Sequence, residues 1–187
     1  MNVIPLRLND LMPAQLPPIG CASVGVGIGK TETAIKIIAK LGTCARGMTR
    51  SEVDIAIVYA VPTHKLADDL VMRFASAGVT SGVWRGRLAD NPANLNEKMC
   101  LKPDAVQEVA SLGLPIQQSM CRFKTDAGYV SCESFLSCPY QQQASLLRGK
   151  QVVIVPHDSL FYEMPNIGPR NMLIIDEAFC FVGLRGL

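Results

Sequence analysis

Long apolar runs, an excess of one charge, internal repeats and low-complexity tracts are all missing from this 187-residue sequence. No stretch approaches the about 18 to 20 apolar residues that a helix needs to span a bilayer. Arg7, Asn9, Asp10 and four prolines interrupt the first 20 positions, where the apolar core of a secretory signal would lie. A cytoplasmic chain with no membrane partner is therefore expected. Basic and acidic side chains number 18 and 16, a formal charge of only +2, so no global field draws the molecule to nucleic acid. The first 50 residues are locally basic, with six Lys or Arg against two Asp or Glu.

What is present is apolar and patterned. Hydrophobic side chains make up 49% of the chain, which excludes a disordered tail and suffices for a packed core in one domain. Seven cysteines is an odd number, in a chain too long to need disulfide staples. In a reducing compartment such thiols are buried, metal-bound or catalytic, so their positions matter more than their count.

The apolar periodicity alternates between strand and helix. Residues 19 to 24 read as a short buried strand running into glycines. From Thr31 to Leu41, Ala34, Ile37, Ile38 and Leu41 fall at helical spacing, and Gly42 is placed to end that helix in a left-handed cap. Residues 54 to 60 (DIAIVYA) are too continuously apolar for a sheet with one wet face and suit a central parallel strand. A second helix carrying Ala67, Leu70, Val71 and Phe74 is predicted to stop near Gly78, with a short strand from Val79 to Trp84. Between Arg85 and Tyr140 the rhythm breaks, apart from a helix after Pro103, and this stretch reads as an insertion. Alternation returns with a helix at 141 to 147, a buried strand at 151 to 155 and a last buried strand at 172 to 175.

Two segments carry chemistry. VGVGIGKT, Val24 to Thr31, holds the Gly-Lys-Thr of a phosphate-binding Walker A loop, although Val24 stands where the first glycine is usual. Gly25, Gly27 and Gly29 would let backbone N–H groups turn onto phosphate oxygens, Lys30 would reach the β and γ phosphates of ATP, and the Thr31 hydroxyl would ligate Mg2+. The bland alternative is a glycine turn capping an ordinary helix. A dinucleotide fingerprint fits less well, because Lys30 sits where its third glycine is expected. MLIIDEAF, Met172 to Phe179, puts Asp176 and Glu177 at the C-terminal end of a strand, where ligands sit in open α/β sheets. Asp176 would hold magnesium and Glu177 would orient the attacking water; alone, the pair could equally be a solvated strand end.

Taken together, VGVGIGKT, YAVPTHKLADDL (Tyr59 to Leu70) and IIDEAF resemble motifs I, Ia and II of superfamily 2 helicases. With Met99-Cys100, Cys138-Pro139-Tyr140 and VVIVPHDSLF, the chain is similar to DinG- and XPD-type iron-sulfur helicases and to helicase-like proteins of phages and plasmids. The resemblance covers most of residues 19 to 187. It implies an α/β fold, a RecA-like P-loop NTPase lobe with a parallel sheet flanked by helices. Residues 1–187 would form that single, incomplete lobe, with a cysteine-containing insertion at 85–140. It further implies an ATP-dependent translocase on single-stranded nucleic acid, DNA above all, working with a second RecA-like lobe that supplies an arginine finger. The chain ends eleven residues after Asp176, before any motif of that lobe, and so reads as a truncated product whose own hydrolysis is feeble. Phe179 replaces the usual Asp or His of motif II, which puts coupling of hydrolysis to unwinding in doubt.

From motif Ia, Thr63 and Lys65 would contact the backbone of a bound strand, or Thr63 would simply cap a helix. His157 could line the same channel or be a satisfied structural residue; His64 is expected to be exposed and idle. Trp84, Arg85 and Arg87 read either as a stacking and phosphate-contact patch or as an edge Trp with solvated arginines. Cys100, Cys121, Cys132 and Cys138 lie between motifs Ia and II, at separations of 21, 11 and 6 positions. They suit a 4Fe-4S cluster, which the resemblance favours, or a zinc ion, or burial as small apolar groups. Cys21, Cys44 and Cys180 are expected to be spectators. Two other functions fit parts of the pattern: a packaging-type motor, which shares the Walker segments but needs no cysteines, and a metal-stabilised nucleic-acid-binding module with a vestigial ATP site.

Overall fold

The computed structural model describes residues 29–46, 56–126, 128–162 and 167–176. The chain divides into two compact units, Met1–Lys30 and Thr31–Leu187. Of the first, only Gly29 and Lys30 are described. The predicted strand at 19 to 24, together with Gly25, Gly27, Cys21, Glu177, Phe179 and Cys180, lies outside the described residues.

Helix α1 (Lys30–Arg46) is followed by strand β1 (Ile57–Val61), helix α2 (His64–Ser76) and strand β2 (Ser81–Val83). Next come a short hairpin, β3 (Asp90–Asn91) and β4 (Asn94–Lys98), helix α3 (Pro103–Ser111), a π turn (Gln117–Cys121) and a second hairpin, β5 (Arg122–Thr125) and β6 (Gly128–Ser131). Helix α4 (Pro139–Leu147), strand β7 (Val152–Pro156), a 3-10 turn (His157–Phe161) and strand β8 (Met172–Ile175) complete the order. Among the described residues, no helix is long and apolar enough to cross a membrane.

The fold is α/β. Its main sheet is parallel, in the order β2-β7-β1-β8. Residues alternate strictly between its two faces, as strand geometry requires. Ile57, Tyr59 and Val61 of β1 and Val152 and Ile154 of β7 join Ile35 and Ile38 of α1 and Ala67, Leu70 and Phe74 of α2. The intervening Val58, Ala60, Val153 and Val155 point the other way, onto Tyr140 and Leu147 of α4 and onto Trp84, Met99 and Cys138. Helices thus cover both faces, the condition under which continuous apolar strands such as VVIV are stable. β8 departs from the expected buried strand: Met172, Leu173 and Ile175 are each more than 40% exposed. Its one pairing among the described residues is with β1.

The predicted start of α1 holds, its stop does not, and its apolar stripe holds at Ala34 and Ile38 but not at Ile37 and Leu41. Gly42 is no cap; it is buried within the helix, and a Cβ there would meet the Gln151 side chain at 2.9 Å. Gly42 thus faces the end of the Gln151 side chain, one residue before β7. Ile35 and Ile38 face the core, while Ile37 and Leu41 are 52% and 40% exposed. By contrast α2 ends as its sequence predicts, just before Gly78, whose φ of 74° is costly for any residue with a side chain.

Residues 85–140 hold both hairpins and α3, between β2 and α4. Their ends are stitched by main-chain bonds: Cys100 N donates to Arg87 O at 2.9 Å, and Tyr140 N donates to Met99 O at 2.9 Å.

Candidate functional site

The C-terminal ends of β1 and β8 meet the first turn of α1, and the polar contacts collect there. Parallel pairing sets Ala60 opposite Ile175, and Asp176 N donates to Ala60 O at 2.9 Å, so the first residue beyond β8 is fixed to the end of β1. Its side chain is buried, at 8% residue exposure. The Thr31 hydroxyl donates to Asp176 Oδ2 at 2.7 Å, across 145 positions of sequence. The Tyr59 hydroxyl donates to the same oxygen, also at 2.7 Å. The carbonyl of Asp176 lies 3.1 Å from His157 Nε2; since a carbonyl only accepts, that nitrogen carries the hydrogen.

A buried carboxylate is costly unless hydrogen-bonded, and two short donor bonds to one oxygen supply the compensation. Tyr59 is fully buried, with its ring edge-on to Phe74 at 5.7 Å. Burial first, and then the hydrogen bond and charge of Asp176, push its phenol far above the ordinary tyrosine range, so it remains a donor at any physiological pH. The first turn of α1 is also tied to α2, through Arg73 Nη2 donating to Glu32 Oε2 at 3.0 Å. Gly29, with φ of 81°, immediately precedes the helix, and Lys30 is its first residue.

The structure thus brings together Thr31 and Asp176 from the expected set, and adds Tyr59, which the sequence placed in a buried strand and at the start of the motif Ia segment without giving it a role at the site. A signal was available: a tyrosine inside an otherwise aliphatic buried strand needs a partner for its hydroxyl. Of the two readings of His157, a nucleic-acid contact or a satisfied structural residue, its position in the interior fits the second. It is 2% exposed and turned onto the backbone of Asp176, so it has no face to offer a solvent-borne ligand. Thr63 caps α2, its hydroxyl accepting from Leu66 N at 3.3 Å, and Lys65 is exposed on the following turn. His64 is half-buried rather than exposed: Nδ1 lies inside without a hydrogen-bond partner among the described residues. Burial foremost, and then the positive charge of Arg85, hold its pKa below the ordinary histidine value, against the opposing pull of Asp68.

A second cluster lies in the insertion. Cys100, Cys121 and Cys138 are buried and Cys132 is partly so. Cys132 N donates to Cys121 O at 2.9 Å, and the Cys138 thiol donates to Met99 O at 3.6 Å. Burial pushes the Cys100 thiol up, and the neighbouring sulfurs of Cys138 and Cys121 push it the same way, while the Lys102 backbone and Arg87 oppose. Arg87 lies over the Tyr140 ring at 4.0 Å, with Nη2 4.0 Å from Cys121 Sγ and 2.8 Å from Gln117 Oε1. Among the described residues, no three His, Cys, Asp or Glu side chains are already arranged to grip an ion. Neither reading of Trp84, Arg85 and Arg87 holds as stated: Trp84 is neither a stacking surface nor an edge residue, being 3% exposed and edge-on to Tyr140 at 5.3 Å, and Arg85 is paired with Asp68.

No protein-family model matches the chain, and neither the curated proteins nor the solved structures contain a match to it.

Proposed function

We propose that this chain is the ATP-binding lobe of a RecA-like P-loop helicase or translocase acting on single-stranded DNA. The observation that carries the proposal is the 2.7 Å bond from Thr31 to Asp176. A hydroxyl in the first turn of a helix, directly after Gly-Lys, bonded to an acid at a parallel strand's end is the arrangement needed to share one Mg2+ between phosphate loop and sheet. In this role Gly25, Gly27 and Gly29 shape the loop and Lys30 contacts the β and γ phosphates. Thr31 and Asp176 hold magnesium, and Glu177 orients the hydrolytic water. Both Thr31 and Asp176 are oxygen donors, the ligand type that magnesium selects. When bound, the ion would neutralise phosphate charge; His157 holds the main-chain carbonyl of Asp176.

The cysteines extend the proposal. Four thiols confined to one irregular insertion form an all-sulfur donor set of the kind that holds a 4Fe-4S cluster or zinc. Cys100, Cys121, Cys132 and Cys138 would draw together on the metal, whose chemistry here is that of a structural staple. Thr63 and Lys65, at the start of α2, are proposed contacts for the phosphate backbone of the strand. A second RecA-like lobe completes the motor, and without its arginine finger hydrolysis is expected to fall by about 10³ to 10⁵.

Equilibrium binding of a fluorescent ATP analogue tests the reading. Wild type should bind with a dependence on Mg2+, and Lys30→Ala should lose that binding. A folded wild-type chain that binds no nucleotide with or without Mg2+ would overturn the proposal.

A further inference from the structure

We propose that Tyr59 is a positioning residue for the metal-holding carboxylate, its hydroxyl fixing the orientation of Asp176 whether or not the cation is bound. The inference rests on the nucleotide-binding proposal and adds a group that the phosphate-loop pattern does not contain.

Three observations support it. The hydroxyl donates to Oδ2, the oxygen that Thr31 also engages, and both bonds are 2.7 Å long. The ring cannot swing away: Tyr59 is fully buried mid-strand and braced edge-on by Phe74. The backbone of residue 176 is held on both sides, through its N–H to Ala60 and its carbonyl to His157. With the main chain pinned, the freedom left to Asp176 is rotation of its side chain, and the phenol restrains that rotation.

Thr31 and Tyr59 differ in duty. Thr31 must present a lone pair to the cation, so its geometry changes as the ion comes and goes. Tyr59 lies deeper and has no such second task. A carboxylate held ready for the ion loses less rotational freedom on binding it, which appears as tighter metal affinity.

The test is a magnesium titration of the complex between the full chain and a fluorescent ATP analogue, alongside binding of the same analogue in EDTA. Tyr59→Phe keeps the ring and removes only the hydroxyl. It should weaken the Mg2+ dependence by about ten- to a hundredfold, the size expected for one hydrogen bond to a charged acceptor. Affinity in EDTA should change less than twofold. A purely structural role would lower both affinities together, and that result overturns the inference, as does an unchanged magnesium titration. Should Tyr59→Phe fold poorly, 3-fluorotyrosine at position 59 provides a stronger donor of nearly the same size and should shift the magnesium dependence the opposite way; no shift overturns the inference. Wild type that binds no nucleotide at all removes the underlying proposal and this inference with it. Magnesium-dependent wild-type binding that is insensitive to Tyr59 removes this inference alone.

Discussion

The hydroxyl of Thr31 and the carboxylate of Asp176 are 2.7 Å apart at the end of a parallel sheet, although 145 positions separate them in the chain. The first consequence concerns charge. Asp176→Asn keeps an oxygen that can accept from Thr31 and Tyr59 but loses the negative charge that a divalent cation needs. The variant should fold, bind the ATP analogue in EDTA as wild type does, and lose at least about tenfold in Mg2+-dependent affinity. Equal loss with and without the metal would show that Asp176 serves folding alone.

His64 predicts a pH effect. Its folded-state pKa is depressed, chiefly by burial. The unfolded chain therefore takes up the proton first, so the contribution of neutral His64 is complete above the unfolded pKa of about 6.5. That contribution is lost as pH falls from there through the lower folded value. In thermal melts between pH 7.5 and pH 5, wild type should lose more stability than His64→Ala over the same interval. Parallel curves would mean that His64 titrates alike in both states.

Close packing of α1 makes Gly42 intolerant of size. A Cβ there already meets Gln151 Nε2 at 2.9 Å, and the side-chain oxygen Oε1 of Gln151 accepts from Thr80 N at 3.0 Å, which holds that amide in place. Gly42→Leu should destabilise the chain by about 1 to 3 kcal/mol, the usual cost of overpacking, despite leucine's better helix propensity. Urea denaturation measures the difference, and a stabilised variant would contradict the packing described for this helix.

For the cysteines, the measurement is metal content. Protein purified without exposure to oxygen should carry stoichiometric iron and sulfide, or zinc, and Cys121→Ser or Cys138→Ser should lose it together with several degrees of Tm. Metal-free wild type with the same Tm as those variants would leave these thiols as packing groups only.

Much of the element order was legible in local pattern. Pro103 opens a helix, the helix expected at 141 to 147 forms and starts two residues earlier at Pro139, Gly78 follows the end of α2, and the run at 152 to 155 is an interior strand, because each of these depends on chemistry within a few residues. The face that α1 buries was not legible. Helical spacing admits a stripe of Ala34, Ile37, Ile38 and Leu41, and the helix is turned so that Ile35 joins Ala34 and Ile38 at the core while Ile37 and Leu41 face out.

The sequence alone determined which groups exist to do chemistry: a glycine-lysine-threonine turn before a helix, acids after an apolar strand, and four thiols within one insertion. Only the tertiary structure decided their partners. Tyr59 reaches Asp176 because β1 and β8 are neighbours in parallel register, and His157 turns inward because β7 delivers it beside that same carboxylate-bearing residue. Strand order in a sheet is set by how whole faces bury against their helices, a global balance that no local window of residues encodes.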